Sequence, residues 1–256
     1  MTADDLVIDV YCHCGRSKYQ PLPVVQEALE AGDVARAVLV QHLGEYDNSY
    51  IADAVAAEPH RFVGVFHVDP EGNDPIAEIE RHASLAEFEG VRFEVRLLHR
   101  IRDQYEAAVE LGLNIVLCSI LGMHDQLPEL RAFLGDHPEH PLMITHWGWP
   151  ALADAPEFSD YQNVLALSEY PGVFLQASGM SMYSDHYLEL FRPAAAAAYE
   201  AFGPDRMVWG SNFSVSGGDP AGYAAELAPF RQGQYPFAEE DLPAILGGTA
   251  KQLWFG

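Results

Sequence analysis

Lysine is nearly absent from this chain. Lys18 and Lys251 are the only two, and 14 basic residues face 38 acidic ones for a formal net charge of -24. A field of that sign repels nucleic acid and anionic membrane surfaces, so neither is expected as a partner. Cysteine is also scarce: Cys12, Cys14 and Cys118 make neither a disulfide framework nor a C-x-x-C pair, which suits a reducing compartment. No apolar run reaches the roughly 18 residues that span a bilayer. The amino terminus has neither the basic nor the apolar stretch of a leader. The expectation is an acidic cytoplasmic protein whose partner is a small molecule, with self-association left open. An anionic ligand would have to be gathered by a few local arginines against the global field.

With 256 residues and 49% hydrophobic content, the chain can bury one large core, and residues 1–256 read as a single domain. Short Val/Ile/Leu/Phe runs alternate with longer amphipathic or Ala-rich stretches. Strands are expected near Leu6 to His13, Ala35 to Gln41, Phe62 to Val68, Gly90 to Arg96, Leu113 to Ser119, Pro141 to His146, Val173 to Ala177 and Arg206 to Ser211. Helices fit between them, from Leu22 to Ala31 through Tyr161 to Tyr170 and Tyr187 to Phe202, with a last one near Glu239 to Leu253 on the barrel floor or wall. This alternation predicts an α/β fold, a single (β/α)8 TIM barrel. A doubly wound open sheet is the alternative, but Cys12-His13-Cys14-Gly15-Arg16 is not the glycine-rich phosphate turn that it would bring.

Barrel chemistry gathers at the C-terminal strand ends. On a regular strand Asp9, Tyr11 and His13 would share one face and Val10, Cys12 and Cys14 the other. Later strand ends offer Gln41, His42, His67, Asp69, the same-parity set Arg92, Glu94 and Arg96, then Cys118, His146, Trp147, Gln176, Ser178 and Asn212. A lone strand-end histidine is more often structural than a ligand. Three charges on one inward face are costly without a function, so Arg92 is a candidate for an anionic substrate. Cys118 reads equally as an apolar filler or as a nucleophile. Trp147, Trp149, Tyr183 and Phe213 suggest a flat or apolar ligand, or rim packing.

Several segments, taken in order, resemble the amidohydrolase superfamily, and within it the amidohydrolase 2 branch of pyrone dicarboxylate and sugar lactonases. Gln41-His42-Leu43-Gly44-Glu45-Tyr46-Asp47-Asn48 is similar to the branch's Gln, Gly and Asp-Asn tract, followed by Val68-Asp69-Pro70 and Gly90-Val91-Arg92-Phe93. His146-Trp147-Gly148-Trp149-Pro150, Ser178-Gly179 and Arg206 to Phe213 match its later motifs. Departures accompany the matches. Tyr11 stands where the family's Asp-x-His-x-His has its first histidine, Asn212 replaces the eighth-strand aspartate, Thr145 stands where Asp is common and Gln176 where Lys is common.

The resemblance implies a lactonase-like hydrolase acting on a small carboxylated or aromatic-derived lactone or ester, with a degenerate metal motif. No cofactor is expected, and His13 and His146 are the ligands if a divalent metal such as zinc binds. An amide cannot serve as a base, so Asn212 would hold the substrate oxygen while His13 and His146 move protons and Tyr11 donates. Arg92, with Glu94, Arg96, Gln41, Trp147, Gln176 and Ser178, would bind substrate. Two alternatives stand beside this reading: a non-hydrolytic decarboxylase, isomerase or cyclase, and a binding relative without catalysis.

Overall fold

The computed structural model describes residues 6–120, 123–182, 187–216 and 218–256. Among them, parallel strands follow one another around a barrel in chain order: β1 (Ile8–Cys12), β2 (Arg36–Val40), β3 (Phe62–Phe66), β4 (Phe88–Glu94), β5 (Asn114–Cys118), β6 (Leu142–Ile144), β7 (Val173–Ala177) and β8 (Met207–Trp209). Between and after them lie α1 (Leu22–Ala31), α2 (Ser49–Ala57), α3 (Pro75–Ala83), α4 (Arg102–Glu110), α5 (Leu127–Asp136), α6 (Gln162–Leu165), α7 (Tyr187–Phe202), α8 (Pro220–Arg231) and α9 (Thr249–Trp254). The consecutive order excludes the doubly wound sheet. β8 meets β1 through a parallel bridge between Cys12 and Phe213, with His13 N–H donating to Phe213 O at 2.7 Å and Asn212 N–H to Tyr11 O at 2.8 Å.

Both faces of the strands are covered, which is why their sequences are near-continuous apolar runs. Val10, Val38, Val40, Val65, Val116, Met143 and Val208 fill the interior, joined by Ala250 and Trp254 of α9. Burying each of the larger side chains contributes about 1.5–3 kcal/mol. Asn114, at the start of β5, donates to Leu253 O at 2.9 Å, so α9 closes the end opposite the strand tips. No helix among the described residues is long and apolar enough to cross a membrane.

Two elements differ from the sequence expectation. The helix expected over Tyr161 to Tyr170 is α6 plus a 3-10 stretch, Ala166–Glu169. The expected last helix breaks into a 3-10 turn at Glu239–Asp241, a π turn at Ala244–Gly248 and α9. At Gly247 a Cβ would lie 1.8 Å from Leu6 O, so only glycine lets this turn pass the start of β1.

The expectation for the face of Asp9 needs a correction. Asp9 pairs with Ala37 but Cys12 with Leu39, so β1 carries one extra residue in a bulge. Val10 and Tyr11 both join the inner cluster, while Asp9 turns outward. Asp9 Oδ1 accepts from Ser211 N–H at 2.9 Å and Tyr11 N–H at 3.0 Å. Its Oδ2 accepts from Ser211 O–H at 2.5 Å and from the Tyr223 hydroxyl of α8 at 3.0 Å. Burial raises its pKa while the bonds from Ser211, Tyr11 and Tyr223 oppose the rise. The bulge thus makes Asp9 the clasp of the β1/β8 seam and leaves Tyr11 and His13 facing the mouth.

Candidate active site

Three buried imidazoles line the C-terminal mouth, each held through its Nδ1. His13 Nδ1–H donates to Val40 O at 2.6 Å and His67 Nδ1–H to Arg92 O at 2.9 Å, because a carbonyl can only accept. Ser178 Oγ donates to Gln176 Oε1 at 2.8 Å, so it accepts from His146 Nδ1–H, also at 2.8 Å. In each ring Nε2 is left with its lone pair. Burial first and the Arg92 charge second hold His146 down to about 3, His67 to about 4 and His13 well below its ordinary value. All three are therefore neutral acceptors at neutral pH.

Arg92 lies among them. It is 3% exposed, and among the described residues no acidic side chain pairs with it. Its Nη1 donates to Gln41 O at 2.6 Å, Nη2 approaches Cys118 Sγ at 3.5 Å, and Nε has no partner. The guanidinium carbon stands 5.4 Å from the centre of the Tyr11 ring. Tyr11 meets His13 and His146 edge-on, with ring centres 4.8 and 5.1 Å away, and its buried hydroxyl has no partner. Gln176 Oε1 accepts from His146 N–H at 2.9 Å while its Nε2 is buried and unpaired.

A left-handed turn aims His146. The φ values of His146, Trp147, Gly148 and Trp149 are 51, 58, 72 and 62°. Such residues cost about 1–2 kcal/mol each unless they are glycine, and strain of this kind persists where packing fixes it. At Gly179 a Cβ would fall 2.8 Å from His146 Nδ1, so the glycine after Ser178 gives that ring its room.

The other sequence candidates separate. Gln41 is not at the centre of the mouth: its Nε2 donates to Asp47 O at 2.9 Å and its Oε1 accepts from His42 N–H, which ties down the loop after β2. Arg96 does not join Arg92. β4 ends at Glu94, and Arg96, on the following 3-10 turn, is exposed and pairs with Glu94 at 2.5 Å. Trp147 is directed away by the left-handed turn into an outer aromatic group, with its ring centre 4.9 Å from that of Phe191 and 6.2 Å from that of Phe237. Trp149 stays near the site, 6.2 Å from the His146 ring. Phe213 packs on Tyr223 and is buried, and Tyr183 lies outside the described residues. Asn212, at φ 56°, turns its Nδ2 toward Met182 Sδ at 3.2 Å and Ser216 Oγ at 3.3 Å.

His67, a strand-end candidate in the sequence, lies in the mouth with its Nδ1 on Arg92 O. One site residue was not singled out in the sequence. Tyr19, in the loop after β1, stacks on His13 at 4.8 Å and 13° and meets His42 edge-on at 4.7 Å. Loop residues carry no periodicity, so no pattern marked it.

Among the described residues no group of three or more His, Cys, Asp or Glu is arranged to hold a metal ion. The buried guanidinium amid the imidazoles would also repel a divalent cation and favours an anion.

A family model described as amidohydrolase matches residues 14–256. An L-fucono-1,5-lactonase of Burkholderia ambifaria is 27% identical over 260 residues, spanning 96% of this chain and 84% of that one. Among solved structures, a probable 2-pyrone-4,6-dicarboxylic acid hydrolase from Acinetobacter baumannii with citric acid bound superposes with a TM-score of 0.80 at 18% identity, over 98% of this chain and 99% of that one. An amidohydrolase from Burkholderia multivorans with bound zinc gives 0.77 at 21% identity, over 98% and 99%. At these identities the two structures speak for the fold.

Proposed function

This chain belongs to the amidohydrolase family, and on that premise we propose that it is a lactonase-like hydrolase that opens a small carboxylated lactone without a catalytic metal. One observation carries the reading: Arg92 is a buried guanidinium without an acidic partner among the described residues. A charge in that position is costly unless a ligand compensates it. The names of two relatives denote cyclic esters, and one of them a dicarboxylate.

The chemistry follows from donors and acceptors. The Nε and Nη2 edge of Arg92 offers a fork that matches a carboxylate. Tyr11 OH and Gln176 Nε2, both buried and unpaired, are donors for the carbonyl oxygen as charge develops on it. His13 and His146 present bare Nε2 atoms that take and return protons. Seating an anion on Arg92 weakens the field that depresses both rings, so each becomes a better base once substrate is bound. Ser178 and Gln176 hold His146 in its tautomer. Asn212, with its amide nitrogen engaged by Met182 and Ser216, shapes the loop after β8.

The test is a panel of matched lactones with and without a carboxylate, assayed on the wild type and on Arg92→Met. Carboxylated lactones should be opened with incorporation of solvent oxygen. The variant should lose about 100-fold in kcat/KM for them alone, the scale of a charge-assisted bidentate pair. Exhaustive chelation should leave turnover intact. Activity that collapses on chelation and returns with zinc would overturn the metal-free part.

A further inference from the structure

The mouth holds one nucleophile that the scheme above leaves idle. Cys118 ends β5 on the inner face, two residues beyond the core residue Val116 and in register with Glu94 of β4. Its Sγ lies 3.5 Å from Arg92 Nη2, beside the guanidinium whose Nε is unpaired. The other two thiols are unlike it. Cys12 and Cys14 pack in the outer apolar layer, and burial pushes Cys12 well above its ordinary value and Cys14 to about 12. They are buried filler, whereas Cys118 lies in the mouth against the Arg92 guanidinium.

We propose that Cys118 is the attacking nucleophile, opening a carboxylated lactone seated on Arg92 through a transient thioester. The proposal rests on the lactonase reading and adds the atom that attacks. Direct water attack needs a base whose pKa lies near the working pH. Here the eighth-strand position carries an amide, which leaves His13 and His146 to move the thiol and water protons. Sulfur is intrinsically a stronger nucleophile than water oxygen, and Cys118 stands beside the anion seat.

In the first step a bond forms between Sγ and the lactone carbonyl carbon, the ring C–O bond breaks, and the thiol proton ends on the released ring oxygen. In the second, water oxygen bonds to the same carbon, the C–S bond breaks and the thiol is restored. No electrons leave or enter. Arg92 seats the carboxylate and so brings the lactone carbonyl to the neighbouring Sγ.

The experiment pairs a covalent probe with a turnover measurement on the full chain. Wild-type protein is treated with iodoacetate or iodoacetamide at equal concentration, and labelling of each cysteine is followed by peptide mass spectrometry. Cys118 should take iodoacetate about tenfold faster, a bias of about 1.4 kcal/mol, against the net charge of -24 that repels the anion elsewhere. Arg92→Gln should abolish that preference. In parallel, acid-quenched samples taken during lactone turnover should show protein plus one intact lactone mass on Cys118. Cys118→Ala should lose that adduct and about 100-fold in turnover.

Equal or faster labelling of Cys118 by iodoacetamide overturns the proposal. So does a folded Cys118→Ala protein that turns over within twofold of wild type. In either case lactone hydrolysis itself would stand. If wild type opens no lactone while the iodoacetate preference persists, the lactonase reading fails and takes the thioester with it, leaving an anion-directed thiol.

Discussion

Arg92 concentrates the energetics of this protein at the scale of a single residue. A guanidinium removed from water without a carboxylate partner costs several kcal/mol, and neighbouring dipoles such as Gln41 O return only part of that. Arg92→Met should therefore raise the urea midpoint even as it removes the anion seat, and a less stable variant would mean that Arg92 is structural. The imidazoles around it set the pH response. His67 at about 4 and His146 at about 3 lie below the ordinary 6.5, so the unfolded chain takes up protons first as pH falls. Their contribution is complete above pH 6.5 and is lost on descending from there toward the folded values. At about 1.4 kcal/mol per pH unit, each should cost about 2 kcal/mol between pH 7 and pH 5. Urea unfolding at the two pH values checks this, with His67→Gln shrinking the difference; a flat profile would count against the burial.

Elements place these residues, and here the sequence misled in specific ways. Period-two alternation set Asp9 beside Tyr11 and His13, but a bulge is a local choice of hydrogen bonding that no hydrophobic pattern records. The bulge releases Asp9 to accept four hydrogen bonds from β1, the segment after β8 and α8. Asp9→Ala would leave those donors buried and unpaired. A loss of about 3–5 kcal/mol is expected in chemical denaturation, and a loss under 1 kcal/mol would show that the seam does not depend on it. The left-handed turn after β6 acted similarly. It separates His146 from Trp147, neighbours in sequence, into the mouth and the outer aromatic layer. Arg96 was lost to the site because β4 ends two residues before it.

At the scale of the whole molecule, the acid excess works against both compactness and ligand capture. Self-repulsion among surface carboxylates falls as salt shortens the Debye length from about 30 Å at 0.01 M to about 8 Å at 0.15 M. Melting temperature should therefore rise over that range. A carboxylated substrate should gain in kcat/KM as well, because the repelling surface is screened more than the buried Arg92. A steady fall in kcat/KM with salt would instead indicate steering by a cationic mouth. The few cations near the entrance include Arg16, engaged by Asp53 at 3.3 Å, and Lys18, beside Tyr19.

What the sequence determined by itself was the barrel. Repeated apolar strands separated by amphipathic helices admit one economical burial of both sheet faces, and that periodicity survives shifts of a residue or two at element ends. It also brought Arg92, His13 and His146 forward as candidates, because they stand at or just beyond the C-terminal ends of apolar strand runs. Only the tertiary structure decided which neighbours share the mouth: that Tyr19 covers His13, that His67 and Cys118 flank Arg92, and that no carboxylate neutralises it among the described residues. Those facts depend on bulges, left-handed turns and loop paths. Such features are fixed by hydrogen bonds between residues far apart in the chain, as where Ser211 meets Asp9 across the seam.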